Sequence, residues 1–223
     1  MGTERRLIIL GAGGFGQEIV WAVRNINKLR LQYEIVGYCD DDFAKKGIEI
    51  YGTTVLGSSE EVDKSFDEKP YFLCAVGNNL KRAQVVERVL ILGWVPVTII
   101  DPSVIVAEGV SVGEGTYVAA GSILSPYAKI GRHVIINHHC SIGHNSILED
   151  FVQVSPGSRV SGNCRIKAGA SLGSNAVAAP GRVIGSRSTL GACSFAMTDI
   201  ADDVTAVGTP ARVILRHTRK KGS

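Results

Sequence analysis

Two hydrophobic rhythms divide the chain. In the first hundred residues, short apolar runs alternate with segments whose apolar positions recur at helical spacing. Residues 5–10 (RRLIIL) form a run, followed by Gly11-Ala-Gly-Gly-Phe-Gly16 and a segment with Ile19, Val20, Val23 and Ile26 on one face. A second strand is predicted from Glu34 to Cys39, ending in Asp40-Asp41-Asp42, and a third from Tyr71 to Val76, ending in Gly77-Asn78-Asn79. Residues 80–93 read as a helix with Ala83, Val86, Val89 and Leu90 inward, and Val97 to Ile100 as the last strand. Strands alternating with helices imply a small parallel α/β sheet whose ligand site lies beyond the C-terminal ends of its strands.

From Asp101-Pro102 the period changes to six. Stepping by six from Val106 reaches Val112, Val118, Leu124, Ile130, Ile136, Ile142, Leu148, Val154, Val160, Ile166, Leu172, Ala178, Ile184 and Leu190, every one aliphatic. Two places earlier the residue is mostly small or β-branched, as at Thr116, Ser122, Ala128, Cys140, Ser146 and Ser158. A prism accounts for both facts: three six-residue faces make one 18-residue coil, the aliphatic residue points inward, and the small residue fits the corner. Hexapeptide periodicity of this kind is a β-helix signature. The reading gives residues 1–100 to the α/β part, 101–215 to the β-helix and 216–223 to a basic tail.

Composition adds exclusions. The chain is 45% hydrophobic and 20% charged with a net charge of +3, which makes no case for nucleic acid. Its one basic cluster, Arg216, His217, Arg219, Lys220 and Lys221, reads as a solvated end. No run of about 18 apolar residues is present, so no membrane span is expected. The five cysteines, 39, 74, 140, 164 and 193, form no CxxC pair and no metal-ligand spacing, so reduced thiols in a cytoplasmic protein and no metal are expected.

Two places can carry chemistry. Residues 18 apart stack on successive coils, separated by about 4.8 Å. His144 follows the interior Ile142 by two and projects outward at a corner, with Gly162 directly above it. A histidine base one rung from an unencumbered backbone N–H suits acyl transfer: the imidazole takes the acceptor's proton and the N–H stabilises the oxyanion. His138 holds the equivalent position one face away, and spacing alone leaves the choice between the two open. With no Ser-His-Asp spacing, direct attack by the acceptor is expected. The second place is Gly11, Gly13 and Gly16, a GxGxxG loop between strand and helix with acids ending the next strand. Glycines there let phosphates approach a helix N-terminus. The loop leaves NAD and a nucleotide-linked substrate both open, although a half-size sheet argues against NAD.

These features resemble those of bacterial sugar acyltransferases that join a small Rossmann-like domain to a left-handed β-helix, including UDP-4-amino-sugar N-acetyltransferases and sialic-acid O-acetyltransferases. The resemblance covers roughly residues 6–213. It is carried by the glycine loop, Ala75-Val-Gly-Asn-Asn79, Ile142-Gly-His-Asn-Ser146, Val154-Ser-Pro-Gly157, Ser161-Gly-Asn163 and Val207-Gly-Thr-Pro-Ala-Arg212. It implies a left-handed winding, His144 as catalytic base, Asn145 beside it and Gly162 as oxyanion donor. It implies that Gly13, Gly14, Phe15, Asp41, Asp42 and Gly77 hold the nucleotide sugar. It further implies acetyl-CoA as co-substrate on Gln153, Gly173, Ser174, Gly191 and Ala192, in a groove between subunits of a homotrimer.

Three positions depart from that pattern. Asn145 stands where the group usually has Glu or Asp, Gln153 where a second histidine is usual, and Phe15 where the loop usually has histidine. An asparagine can orient the ring but cannot charge-stabilise an imidazolium. The expected activity is acetyl-CoA-dependent N-acetylation of a nucleotide-linked amino sugar for surface-glycan synthesis. The alternatives are O-acetylation of a sugar hydroxyl and a non-catalytic trimeric scaffold that binds nucleotide sugars.

Overall fold

The computed structural model describes residues 5–217, and Arg219, Lys220 and Lys221 of the expected tail lie outside them. The chain forms two compact units. The first runs to Pro102 and takes in Glu114–Tyr117, and the second comprises Ser103–Gly113 and the chain from Val118 onward.

In the first unit, β1 (Arg5–Leu10), α1 (Gly14–Leu29), β2 (Tyr33–Cys39), β3 (Glu49–Ile50), β4 (Thr53–Gly57), α2 (Ser59–Asp63), β5 (Tyr71–Cys74), α3 (Asn79–Ile91) and β6 (Val95–Pro96) follow in order. The sheet order is β3-β4-β2-β1-β5-β6, parallel except for the edge hairpin of β3 with β4. Strand order reverses between β1 and β5, the switch point where doubly wound sheets hold ligands. Leu7, Ile8 and Ile9 of β1 are wholly buried, as a strand covered on both faces requires, and Ile19, Val20 and Val23 pack α1 inward.

The sequence reading needs four corrections here. The β3–β4 hairpin and α2 were not foreseen. Val95–Pro96, which pairs with β5, is the last strand of this sheet in place of Val97–Ile100. The Ile99 N–H donates to Thr116 instead, opening the first rung of the repeat region. On α3, Leu90 is 43% exposed, and the buried face carries Arg82 at 1% together with Val86 and Val89.

The second unit is a parallel β-helix of two-residue strands. Ile123–Leu124 pairs with Ile105–Val106 on one side and Ser141–Ile142 on the other, and the other faces repeat the same 18-residue register. Leu124, Ile136, Ile142, Val154, Ile166, Leu172, Ile184 and Leu190 are all wholly buried, and the ladder continues one step further to Ala196. Val106 is 47% exposed, because the first coil has no coil beneath it. Thereafter the spacing shortens: Ile184 bridges Ile200, and Leu190 pairs with Ala206, 16 residues on. The coil closes on Arg212–Arg216, antiparallel to Val204–Val207. Arg216 is therefore a strand residue opposite Val204, and the His217 N–H donates to Asp203. These two residues do not form the free tail expected of them.

Every sixth residue from Gly109 to Cys193 has a positive φ, between 54° and 73°. These residues turn the corners. Their N–H groups donate to the carbonyl at the corner one coil earlier, as Asn145 to Pro126 (3.1 Å), Asn163 to His144 (2.8 Å) and Gly181 to Gly162 (2.9 Å). From Thr116 to Ala176 the residue two before each interior position is buried, and where it is serine its hydroxyl satisfies the adjacent backbone: Ser122 donates to Asn137, Ser158 to Gly173.

Candidate active site

His144 and Gly162 meet at one corner of the β-helix. The backbone fixes the pair: the His144 carbonyl accepts the Asn163 N–H one coil later, so the two turns stack. A Cβ built on Gly162 would lie 2.4 Å from His144 Nε2 and 2.6 Å from Cε1, so the imidazole occupies the space a side chain there would need. Gly143 is required for the same reason, since a Cβ on it would lie 2.5 Å from the Gly162 nitrogen. The Gly162 N–H donates to no acceptor among the described residues.

Asn145, at φ 56°, places its amide nitrogen 3.1 Å from His144 Nδ1. The two ends of an amide interchange by a flip. With Oδ1 toward the ring, the amide accepts Nδ1–H and holds the tautomer whose Nε2 lone pair can take a proton. Ser146 is a member of this corner that the sequence reading passed over as a small corner residue. Its hydroxyl donates to the Ser161 carbonyl (2.8 Å) and accepts the Cys164 N–H (3.1 Å). The Ser161 carbonyl and the Gly162 N–H belong to one peptide plane, so this bond sets the direction of that N–H. The recurrence of serine at this corner position, at 122, 146 and 158, was the available signal.

The residues expected to hold acetyl-CoA lie elsewhere on the prism. Gly173 and Gly191 stack 18 apart, as do Ser174 and Ala192, and a Cβ on Gly173 would lie 2.5 Å from the Ala192 nitrogen. They form a strip of small residues, with Ser174 and Ala192 exposed, at a corner two faces along the chain from that of His144 and Gly162. Gln153 lies half-buried on the strand Gln153–Val154, its N–H bound to the Ala170 carbonyl. Within one chain these groups are not brought to the histidine.

The first unit offers a separate cleft of about 180 Å³ beyond the ends of β1, β2 and β5, lined by Gly11, Cys39, Asp41, Val76, Lys81 and Arg88 among others. The three motif glycines serve distinct purposes. Gly11 has φ 106°; Gly16 passes so close to the Gly11 carbonyl that a Cβ would lie 2.4 Å from it; Gly13 and Gly14 have nothing within 4 Å of the missing side chain. Gly13 caps α1 without any side-chain hydrogen bond, leaving the first-turn N–H groups to an anion. Phe15 packs edge-on against Tyr117, ring centroids 5.5 Å apart. Asp41 takes both carboxylate oxygens to Arg88 Nη2, at 2.9 Å each, and Asp42 caps the 3₁₀ turn Phe43–Lys45 through the Ala44 N–H. The acid nearest the glycine loop is Asp40, whose Oδ2 accepts the Ala12 N–H and the Lys45 ammonium while Oδ1 accepts the Asp42 N–H. Burial opposes its charge, but these hydrogen bonds outweigh burial and hold the carboxyl below its ordinary range. Gly77 is exposed at the end of β5, and its carbonyl, with that of Val76, accepts from the buried Arg82. Burial pulls that guanidinium down to about 10, so it stays charged near neutral pH. The sequence reading named Asp40 only as part of the acid run and Arg82 not at all, and put neither among the site residues. The acid run and the Asn78-Asn79 turn marked their neighbourhood without distinguishing the residues that line the cleft from those that support it.

Among the described residues no group of His, Cys, Asp or Glu could hold a metal ion, and no helix is long and apolar enough to cross a membrane.

A corner histidine over a bare glycine on a parallel β-helix, in a chain that also carries an open glycine loop, is an arrangement that can carry acyl transfer. Residues 6–89 match the PglD N-terminal domain family. The chain is 28% identical over 215 residues, 93% of its length and 96% of the relative's, to GDP-perosamine N-acetyltransferase of Escherichia coli O157:H7. The acetyltransferase domain of PglB from Neisseria gonorrhoeae FA1090, solved also with acetyl coenzyme A, superposes with a TM-score of 0.86 at 29% identity, covering 95% of this chain and all of that one. A mutant perosamine N-acetyltransferase from Caulobacter crescentus, in complex with CoA and GDP-perosamine, superposes with a TM-score of 0.86 at 25% identity, over 93% and 95% of the two chains. Over nearly its whole length the chain is similar to these sugar acyltransferases, and it shares their fold, an α/β part followed by a left-handed β-helix.

Proposed function

We propose that the protein transfers the acetyl group of acetyl-CoA to the amino group of a nucleotide-linked amino sugar. The observation that carries this is the packing of the His144 imidazole over Gly162, whose N–H donates to no acceptor among the described residues. Acetyl-CoA supplies the thioester carbonyl. The sugar amine attacks that carbon directly, His144 Nε2 takes the proton the nitrogen sheds, and the Gly162 N–H receives the negative charge on the carbonyl oxygen. As the C–S bond breaks, the same proton passes to the departing thiolate. Asn145 holds the ring and Ser146 holds the donor peptide.

Gly13, Gly14 and the α1 N-terminus suit the diphosphate, with Asp41, Asp42, Gly77 and Phe15 around the remainder of the nucleotide sugar. The small-residue corner of Gly173, Ser174, Gly191 and Ala192, with Gln153, suits coenzyme A. That corner and the histidine corner are separate within one chain, so the reading includes a homotrimer in which neighbouring subunits each supply one of them. Free, scattered thiols fit a reducing cytoplasm, where surface-glycan precursors are assembled.

The test is release of free CoA from acetyl-CoA in the presence of GDP-, UDP- or dTDP-linked 4-amino sugars, with free sialic acid as the hydroxyl acceptor. Amine-dependent release supports the proposal. Release with the hydroxyl acceptor alone replaces it with O-acetylation, and nucleotide-sugar binding without turnover replaces it with a scaffold.

A further inference from the structure

We propose that the strand Arg212–Arg216, with the basic residues that follow it, docks the protein on an anionic lipid surface; this does not rest on the acetyl-transfer reading. The strand lies at the edge of its sheet, paired on one side only, with Val204–Val207. Every residue of it is exposed, and three in a row are aliphatic: Val213, Ile214 at 65% and Leu215 at 58%. Successive side chains of a strand point to opposite faces, so neither face of this ribbon is covered. Met197, on the last coil of the same unit, is exposed as well. A contiguous aliphatic surface of this kind marks a place where something else supplies the cover.

The charge beside it is of one sign. Arg212 and Arg216 bracket the aliphatic run, and neither pairs with a carboxylate among the described residues. The acids of that end are already matched by side chains from earlier coils: Asp199 by Arg182 (3.6 Å), Asp202 by Lys167 (3.2 Å) and Asp203 by Arg187 (2.6 Å). In sequence His217, Arg219, Lys220 and Lys221 come next. Clustered Lys and Arg beside an apolar run are what anionic headgroups attract. A second copy of the strand does not suit the position. Antiparallel pairing centred on Ile214 sets Arg212 of one chain against Arg216 of the other, and like charges directly opposed are destabilising. An added peptide strand pairs the open edge but leaves the aliphatic side chains standing out from both faces. A lipid surface answers both features: headgroups neutralise the cations, and the acyl boundary takes the aliphatic side chains. Water at headgroup depth completes the hydrogen bonding of the edge.

The test is sedimentation of the full chain with vesicles of phosphatidylcholine, with and without phosphatidylglycerol. Binding is expected with the anionic vesicles alone and is expected to fall steeply as salt is raised. Each Lys or Arg near such a surface contributes about fivefold, so Arg212→Gln combined with Arg216→Gln is expected to weaken partitioning about 25-fold. Ile214→Ser combined with Leu215→Ser is expected to weaken it at least about tenfold. All four side chains are exposed, so the circular dichroism melts of both double variants should match that of the wild type. Wild type that ignores anionic vesicles at low salt, or that binds neutral ones equally well, overturns the inference. So does either folded double variant that partitions as the wild type does. If the serine variant instead lowers the mass seen by light scattering without lipid, a second copy covers the strand and the inference falls.

Discussion

At His144 three short-range contacts combine into one chemical arrangement: the ring against Gly162, the Asn145 amide at Nδ1, and the Ser146 hydroxyl on the Ser161 carbonyl. Each has a substitution that isolates it. His144→Ala removes the base from an exposed side chain, so kcat is expected to fall about 10²- to 10⁴-fold with the melting temperature unchanged; steady-state kinetics on the folded variant decides it. Asn145→Asp puts a carboxylate beside the ring, and Asp tolerates the left-handed backbone that residue 145 adopts. A carboxylate at Nδ1 stabilises the imidazolium that forms as the ring takes the proton. The kcat is therefore expected to rise, and an unchanged kcat in the folded variant shows that residue 145 does not touch the working ring. Ser146→Ala leaves the Ser161 carbonyl and the Cys164 N–H without their partner, a cost of about 1–3 kcal/mol. Its kcat loss is expected to exceed any change in KM for acetyl-CoA. Ser146→Cys recovers much of it, since Cys140 and Cys164 already make the same contact to the Ser155 and Ala179 carbonyls at equivalent corners.

The repeat unit is legible in the sequence because it is enforced at every sixth residue by exclusion of water from a narrow interior. The strands are only two residues long and carry no alternation of their own, yet the ladder from Leu124 to Leu190 emerges from spacing alone. The corners were half legible. Their buried small residues were read, but the left-handed residue three places after each interior position was not, because Tyr127, His133, Phe151 and Arg187 share the role with glycine and asparagine. That position yields an element-scale prediction. Gly169 has φ 67°, and a Cβ there would meet only the Arg187 Cγ at 3.5 Å, so crowding is not the obstacle. Gly169→Ala is expected to cost about 1–2 kcal/mol from backbone conformation, Gly169→Val more, and Gly169→Asn less than either, read as denaturant midpoints. Equal midpoints for Ala and Asn would show that the corner relaxes. In the α/β part the β3–β4 hairpin was missed because β3 has only two residues and buries neither, and β4 buries one large apolar side chain, Val55, between Thr53 and Gly57. Arg82 was missed because a charged residue on a helix reads as solvated, whereas here loop carbonyls solvate it.

At the scale of the whole molecule, the separation of the two corners is the fact with most consequence. A prism turns its corners in a fixed cyclic order, so residues 144 and 162 share one edge and residues 174 and 192 share another, and no side-chain rotation brings them together. If acetyl transfer needs both edges, a single chain is insufficient, and a closed ring of three identical chains supplies each edge to a neighbour. Light scattering should then give three times the 23.7 kDa of the chain. Complementation asks the sharper question. His144→Ala and Ala192→Trp each disable one edge, Ala192 being exposed so that the larger ring does not disturb the core, and each variant alone is expected to form inactive trimers. Co-expressed in equal amounts, they mix at random, and a site drawing one edge from each of two chains is intact about a quarter of the time. Activity near a quarter of wild type is therefore expected from two inactive proteins. No recovery in demonstrably mixed trimers would place both edges of each site on one chain and remove the structural reason for assembly.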